Sequence, residues 1–253
     1  MTGRVSLTAV LLISALGAAG QSNGYKAPRT ADGAPDLQGI WQARATAAAG
    51  LEAHGAAMGI AAGASVIVDP ADGKIPYQPW AAQKRQENFK NRTKADPVGK
   101  CFLAGVPRIN YMPFPFQIFQ TAKFVAIAYE YDHTDRTIFL NGTKHLDDID
   151  FWMGDSRARW EGDTLVVDVA DNNDQTWLDL SGDFHSEQMK VVERFTRTGP
   201  DTIQYEATIT DPKVYTAPWK ISMPLYRHTE KNAQLFEYEC HVYLEESRGG
   251  NAK

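Results

Sequence analysis

The amino-acid sequence predicts an all-β protein, a single antiparallel β-barrel of about eight to ten strands with one N-terminal surface helix. Apolar and polar residues alternate cleanly in segments such as TIQYEATIT, Thr202–Thr210, which is typical of a strand with one buried and one solvated face. Turn signals, among them Asn141-Gly142 and Gly199-Pro200-Asp201, separate such segments at hairpin spacing. Closure into a barrel is favoured because it removes exposed strand edges.

The strand pattern runs almost without interruption from residue 117 onward. Upstream of it, we predict the start of ordered structure at 37–41 and a short strand at 66–68. The predicted strands of the continuous region are 117–121, 124–131, 136–140, 164–170, 189–198, 202–211, 219–226 and 235–244.

Three segments before residue 117 have other characters. Residues 79–92 have helix-forming composition with a Pro near the first turn, which predicts the surface helix. The Ala- and Gly-rich segment 43–64 fits either a loose helix or a mobile flap. Residues 101–119 contain three Pro among aromatic residues, which predicts an irregular rim that carries Tyr111 and Phe114 inward, since Pro cannot donate to a sheet.

The N-terminus has the pattern of a secretory signal peptide. Arg4 supplies a positive charge, residues 5–16 are mostly apolar, and small residues follow at 17–20. We therefore predict a signal peptide over 1–20, an extended lead-in over 21–36 and a single barrel domain over 37–253. A periplasmic or secreted location follows from this reading, and a retained N-terminal anchor is the alternative.

Charge and cysteine content limit the possible partners and the compartment. The net charge is −5 without a basic run, which argues against nucleic acid. No later segment approaches the 18 or so apolar residues of a membrane span. In an oxidising compartment the two cysteines, Cys101 and Cys240, favour one disulfide, although two separate buried thiols remain an alternative.

The segment Gly39-Ile40-Trp41 lies at the start of the predicted barrel. It resembles the opening of lipocalins, in which the Trp closes one end of the barrel. The resemblance implies a lipocalin-like barrel, and an eight-stranded barrel can hold one small ligand. The alternative is that Trp41 is an ordinary core residue.

Residues 151–194 concentrate the polar and aromatic chemistry of the chain, including three of the six Trp. Within this stretch, Asp179 and His185 fall on one connection between two predicted strands. A carboxylate beside a His fixes its tautomer and stabilises the imidazolium, which predicts an acid–base pair. The alternative is a His that only stabilises a turn.

Glu193 lies on an alternating strand, with Val191 and Phe195 on its side. An inward Glu193 would be a further acid–base candidate, because a buried carboxylate needs a partner or a raised pKa. An outward, ion-paired Glu193 fits the sequence equally well.

A second group of candidates surrounds the predicted barrel mouth. His133 is a candidate partner in proton transfer, and Arg136 offers a fork for an anionic or phenolic oxygen. Alternatively, both residues only tie their hairpin together. The predicted substrate-binding residues are Tyr111, Phe114, Arg136, Trp152, Asn173 and Trp177.

The sequence assigns no cofactor and no metal. His145 with Asp147, Asp148 and Asp150 has the residue types of a metal site, but the spacing matches no standard loop. A solvated acidic turn is favoured, and Ca²⁺ is the ion to test first. The motifs of serine hydrolases, zinc proteases and nucleotide-binding proteins are absent from the sequence.

Several long motifs occur in order over about residues 30–240, including DGAPDLQGIW, YEYDHTDRTIF, WMGDSRARWEGDTLVVDV and FHSEQMKVVERF. In these motifs the chain resembles a large family of uncharacterised exported bacterial proteins. The resemblance implies an exported β-rich protein and lends no catalytic residue. The chain departs from the family pattern at residues 171–174 and in the Ala/Gly-rich insertion, both of which are expected to alter a substrate pocket.

These observations predict a cofactor-independent exported enzyme that cleaves a C–O bond, in an ether or ester, of a small aromatic compound. Hydrolysis and elimination both suit paired acid and base groups in an apolar pocket. The alternative is a non-catalytic protein that binds a small hydrophobic or aromatic ligand. A structural or interaction protein would instead have a filled barrel without a pocket.

Overall fold

The structure, a computed structural model, describes residues 24–146 and 148–247 of the chain. The predicted signal peptide, 1–20, lies outside the described residues. The strands are β1 Gly39–Ala43, β2 Ile67–Asp69, β3 Phe116–Gln120, β4 Phe124–Tyr129, β5 Asp135–Phe139, β6 Asp155–Glu161, β7 Thr164–Ala170, β8 Lys190–Gly199, β9 Thr202–Thr210 and β10 Trp219–Arg227. The helices are α1 Pro79–Ala95 and α2 Cys240–Ser247.

Nine of the strands form a closed barrel. They follow the order β1-β3-β4-β5-β6-β7-β8-β9-β10, and β10 pairs with β1 to complete the ring. The remaining strand, β2, pairs with β10 outside this ring. The predicted all-β fold with a single barrel is therefore confirmed.

The ring contains one parallel pairing, between β5 and β6, through Phe139 and Arg157. The other eight neighbouring pairs are antiparallel. An odd number of strands cannot alternate direction all the way around a closed ring, so at least one pair must run parallel. The long connection between β5 and β6 makes this reversal possible, because it is not a tight hairpin.

The inner face of the barrel is largely a packed apolar core. In β9 the alternate residues Ile203, Tyr205, Ala207 and Ile209 are buried, as the period of two requires. Trp41 on β1 is fully buried, with the Arg227 guanidinium 5.5 Å from its ring centre. Part of the interior has no room for a water molecule, namely the region lined by Leu37, Ile118, Val125, Ile127, Ile138, Leu165 and Phe195.

Helix α1 lies close to the predicted position and packs against the connection between β7 and β8, where Asn88 donates to the Gly182 carbonyl. Pro79 occupies the first turn, where its missing N–H costs nothing. The helix buries Ala81 and Asn88 and ends at Ala95. It ends there because Pro97 disfavours helical backbone at the preceding residue, Asp96.

The predicted set of strands differs from the structure at two places. Strand β6 was not predicted, because its sequence DSRARWE contains few apolar residues. The predicted strand 235–244 is instead an irregular segment followed by α2. Residues 235–244 alternate in polarity but cannot add to the sheet beside β10, because β10 is already paired with β9 and β1.

The C-terminal segment is held against the barrel by a disulfide and by aromatic contacts. Cys101 and Cys240 are bonded, with Cα atoms 5.5 Å apart, which confirms the predicted disulfide. The ring of Tyr238 lies 4.5 Å from that of Phe114 and 5.5 Å from that of Tyr131. Neither described helix has the length and apolar content of a membrane span.

Candidate functional site

The connection between β7 and β8, residues 171–189, is an ordered hairpin that packs against the Ala/Gly-rich insertion and α1. Its two arms meet at a bridge between Trp177 and Phe184. The Leu180 N–H donates to the Ala48 carbonyl at 2.9 Å, and the Ser181 hydroxyl donates to the Ala49 carbonyl at 2.8 Å. These contacts anchor the tip of the hairpin, so the side chains on its arms have defined positions.

A groove of about 470 Å³ lies between this hairpin, α1 and the segment after β9. Aromatic rings form part of its wall, because the Trp80 and Phe184 rings meet edge to face at 6.0 Å and Trp177 lies beside them. The ionisable residues of the lining are Lys84, Asp174, His185, Glu187 and Lys213. A groove with aromatic surfaces and a few charged groups can hold an aromatic molecule and orient its polar substituents.

His185 is the titratable residue of the groove with the most defined geometry. Its Nδ1 lies 3.0 Å from the Ser186 carbonyl oxygen, and its Nε2 lies 2.7 Å from the Thr176 hydroxyl. A carbonyl only accepts, so Nδ1 carries the proton, and in the neutral ring Nε2 accepts from Thr176. Burial lowers the pKa of His185, so the imidazole is neutral at pH 7.

Asp179 is fully buried beneath the hairpin and does not support His185. Its Oδ2 accepts from the Leu51 N–H at 2.8 Å, and its Oδ1 accepts from the Asp183 N–H at 3.1 Å. The two partners of the His185 ring are Thr176 and Ser186. The expected hydrogen bond between His185 and Asp179 is therefore not formed, because each side chain is held by other partners.

Asp179 and Asp183 form a buried carboxylate pair. Asp183 accepts from the Tyr77 hydroxyl and from Arg85 Nε, both at 2.9 Å, and so has a cationic partner. Burial raises the pKa of Asp179 well above its ordinary value, and the charge of Asp183 adds to this effect. A protonated Asp179 is expected, since Asp183 already uses the nearby positive charge.

We expect Asp179→Asn to make the protein less sensitive to rising pH. The folded-state pKa of Asp179 is raised, so the folded protein holds a proton that the unfolded chain releases. Its stabilising contribution is complete below the unfolded pKa, about 3.9, and is lost as pH rises through the folded pKa. The amide of the variant resembles the protonated acid. The free energy of unfolding in urea, measured from pH 4 to 9, should therefore fall less for the variant than for the wild type.

Asp183→Asn is the matched control. It removes the charged partner of Arg85 and should lower the free energy of unfolding by about 1–3 kcal/mol. Asp179→Asn, by contrast, should be more stable than the wild type at high pH. Parallel pH curves for the wild type and Asp179→Asn would contradict the raised pKa of Asp179.

Glu193 faces the barrel interior, which decides between the two orientations that the sequence allowed. It is fully buried and forms an ion pair with Arg136. Its Oε1 accepts from Asn110 Nδ2 at 2.6 Å and from the Tyr205 hydroxyl at 2.8 Å. Asn110 in turn accepts from the Tyr129 hydroxyl at 2.8 Å. Both oxygens of the Glu193 carboxylate thus accept hydrogen bonds inside the barrel, and none of these donors lines the groove.

His133 lies outside the barrel, and its side chain is about half exposed. Its Nε2 is 2.8 Å from Glu239 Oε1 in the C-terminal segment. Arg136, two residues into the next strand, is buried with Glu193. The two residues therefore do not line a common mouth: His133 faces solvent, whereas Arg136 belongs to the interior network.

The predicted substrate-binding residues occupy several separate places. Trp177 lines the groove. Tyr111 is fully buried and donates to the Leu178 carbonyl at 2.8 Å. Phe114 packs against the rings of Tyr131 and Tyr238. Trp152 stacks on Phe102 at 5.1 Å, and Asn173 accepts from the Gln175 N–H at 3.1 Å. The structure does not bring these side chains into one pocket with Trp177.

His145 does not gather the acidic residues that follow it in sequence. Asp148 and Asp150 are exposed, and Asp147 lies outside the described residues. His145 instead approaches Asp155, with Nδ1 3.0 Å from Oδ2, and their ligand atoms and one of Asp171 lie within 4.8 Å of one another. The same Asp155 oxygen accepts from Arg157 Nε at 2.8 Å. A divalent ion would therefore have to compete with a guanidinium for that oxygen.

Several contributors to the groove are not among the predicted site residues, including Trp80 and Phe184 of its aromatic wall. Thr176 holds His185, and Lys213 forms an ion pair with Glu187 at 3.0 Å on the groove wall. Asp211 accepts from both the Ser186 N–H, at 2.6 Å, and the Ser186 hydroxyl, at 2.9 Å, and so fixes the residue next to His185. Lys213 and Asp211 lie in the segment that follows β9, and no sequence spacing signals their approach to the hairpin.

No protein-family model matches the chain, and no curated protein matches it at a significant level. The resemblance to exported bacterial proteins, which is based on the quoted motifs, stays a prediction.

Proposed function

We propose that this protein is an exported enzyme that binds a small aromatic compound in the groove and cleaves a C–O bond, in an ether or ester, with His185 as the proton-transfer group. The observation that carries the proposal is a neutral, fixed imidazole on the wall of a groove lined by Trp80, Trp177 and Phe184. A His whose second nitrogen is held by a carbonyl presents its other nitrogen in one defined orientation. A fixed general base contributes about 10²–10⁴-fold to a reaction rate.

The charges around His185 suit this role. A proton taken up at Nε2 would form an imidazolium, which the negative charges of Asp211 and Asp174 favour. Nε2 holds the Thr176 hydroxyl, so that hydroxyl must turn away or relay the proton when a substrate binds. Lys213 at the groove wall is paired with Glu187 and would have to exchange this partner to stabilise a phenolate leaving group.

The disulfide between Cys101 and Cys240 supports an extracytoplasmic site of action. Structural disulfides form and persist in oxidising compartments such as the periplasm or the cell exterior. Together with the predicted signal peptide, this favours a periplasmic or secreted enzyme.

A second candidate function is ligand binding without catalysis. It is favoured by the positions of Asp179 and Glu193, which are hydrogen-bonded elsewhere and give His185 no carboxylate partner. A protein that only stores or carries an aromatic ligand needs the walls of the groove and not the titratable groups.

The two functions predict different outcomes for His185→Gln. Binding of 4-nitrophenol and of 4-nitrophenyl ethers and esters is measured by quenching of tryptophan fluorescence, and turnover by release of nitrophenolate. We expect binding to change by less than about 3-fold and turnover to fall by about 10²–10⁴-fold. Because burial lowers the pKa of His185, the wild-type rate should persist to a pH below 6.5 before it declines.

Two controls complete this experiment. His241→Gln alters an exposed histidine on α2 and should leave both readouts unchanged. Trp177→Ala should weaken binding at least 5-fold. Binding without turnover of any compound supports the carrier function, and unchanged binding in Trp177→Ala would overturn the assignment of the groove to either function.

A further inference from the structure

A second cavity, of about 250 Å³, lies beneath the Ala/Gly-rich insertion. The insertion forms one side of it through two isolated bridges, His54 with Gly63 and Ala57 with Ile60. The other sides come from Phe89 and Arg92 on α1 and from the tip of the hairpin at 180–181. This cavity contains none of the residues that line the groove with His185.

The lining is apolar with a positive edge. Ala56, Ala57, Met58, Ile60 and Phe89 supply most of its surface. Gly55 is one of the lining residues, and a Cβ added there would meet no atom within 4 Å, so a larger side chain can be introduced at the cavity wall without a steric conflict. Such a surface favours a compact hydrophobic group of about ten to fifteen heavy atoms.

Arg92 gives the cavity its charge. The lining contains no acidic residue, and Arg92 and His54 are its basic members. The Arg92 guanidinium lies 4.0 Å from the centre of the Phe89 ring and donates to the Phe89 carbonyl at 2.7 Å. These contacts fix the guanidinium at the cavity wall while leaving other N–H groups of its five-donor fork for a ligand.

We propose that this cavity is a second ligand site, which binds a small carboxylate with an apolar body. The apolar part would lie against Phe89 and the alanines of the insertion, and the carboxylate would pair with Arg92. The site is independent of the proposed reaction at His185, because it shares no residue with that groove.

The test uses 1-naphthoate as the probe and 1-naphthylmethanol as its neutral analogue, with binding to the full chain measured by titration calorimetry. We expect saturable binding of one naphthoate, at least 5-fold tighter than that of the alcohol. Arg92→Gln should weaken naphthoate at least 5-fold and leave the alcohol unchanged. Gly55→Phe should abolish the binding of both, because it places a bulky ring at a lining residue of the cavity.

Matched variants separate the possible outcomes. Gly99→Phe places the same side chain at another position with no atom within 4 Å of an added Cβ, and it should bind as the wild type does. Trp177→Ala alters the other groove and should also leave naphthoate binding unchanged. Loss of binding in Trp177→Ala but not in Gly55→Phe would place the probe in the His185 groove and overturn the second site. Wild-type affinity in both Gly55→Phe and Arg92→Gln would overturn it as well.

Discussion

Replacing Arg136 with Met is expected to lower the free energy of unfolding by about 3–5 kcal/mol. Arg136 is the cationic partner of Glu193 inside the barrel, and both side chains are almost completely buried. The variant would leave the Glu193 carboxylate in an apolar interior with hydrogen bonds from the neutral side chains of Asn110 and Tyr205. An uncompensated charge in such surroundings costs far more than the loss of a surface ion pair.

The free energy of unfolding in urea is measured for the wild type, Arg136→Met, Glu193→Gln and the double variant, which together form a double-mutant cycle. Glu193→Gln in the Arg136→Met background removes the remaining charge, so the double variant should be more stable than Arg136→Met alone. Arg194→Met is the matched control. Arg194 follows Glu193 on β8, and its side chain forms a partly exposed ion pair with Glu161. This control should cost only about 0–1 kcal/mol. Equal losses in Arg136→Met and Arg194→Met would show that the interior pair contributes little.

The interior network explains why these polar residues are tolerated in a barrel core. Glu193 receives three donors, from Arg136, Asn110 and Tyr205, and a buried carboxylate is stable only when its oxygens are satisfied. The burial of Tyr205 and the charge of Glu193 both raise the pKa of the Tyr205 hydroxyl, which therefore stays a donor at neutral pH. The network is expected to fail as a unit when one member is removed.

The barrel could be predicted because a period of two is visible wherever one face of a strand is buried. Strand β9 shows this pattern over its whole length. Strand β6 does not, because Arg157, Ala158 and Trp160 are only partly buried and blur the alternation. The prediction of a strand at 235–244 was wrong because local alternation says nothing about whether a neighbouring strand has a free edge.

The candidate site could be predicted only in part. The hairpin 171–189 was recognisable from its content, and His185 does lie on the wall of a groove. Its partners could not be predicted, because sequence proximity does not show on which side of a hairpin a side chain lies. Asp179, six residues before His185, contacts Leu51, and Asp183 contacts Arg85, so both carboxylates hold distant segments together.

Removing the disulfide with Cys101→Ser and Cys240→Ser is expected to lower the free energy of unfolding by about 5 kcal/mol. The crosslink joins residues 139 positions apart, so it restricts most of the barrel sequence in the unfolded chain. Loop-closure entropy grows only slowly with length but is already large at this separation. The measurement is equilibrium unfolding of the double variant and of the wild type with and without a thiol reductant.

The reductant separates the crosslink from the effect of the serines. Reduced wild type should match the double variant, and the double variant should not respond to the reductant. A loss of this size requires the C-terminal segment to unfold together with the barrel, to which Tyr238 attaches it through Phe114 and Tyr131. A loss below about 1 kcal/mol would contradict this cooperativity. It would mean that the segment around α2 separates first and that the disulfide restrains only this segment and not the barrel.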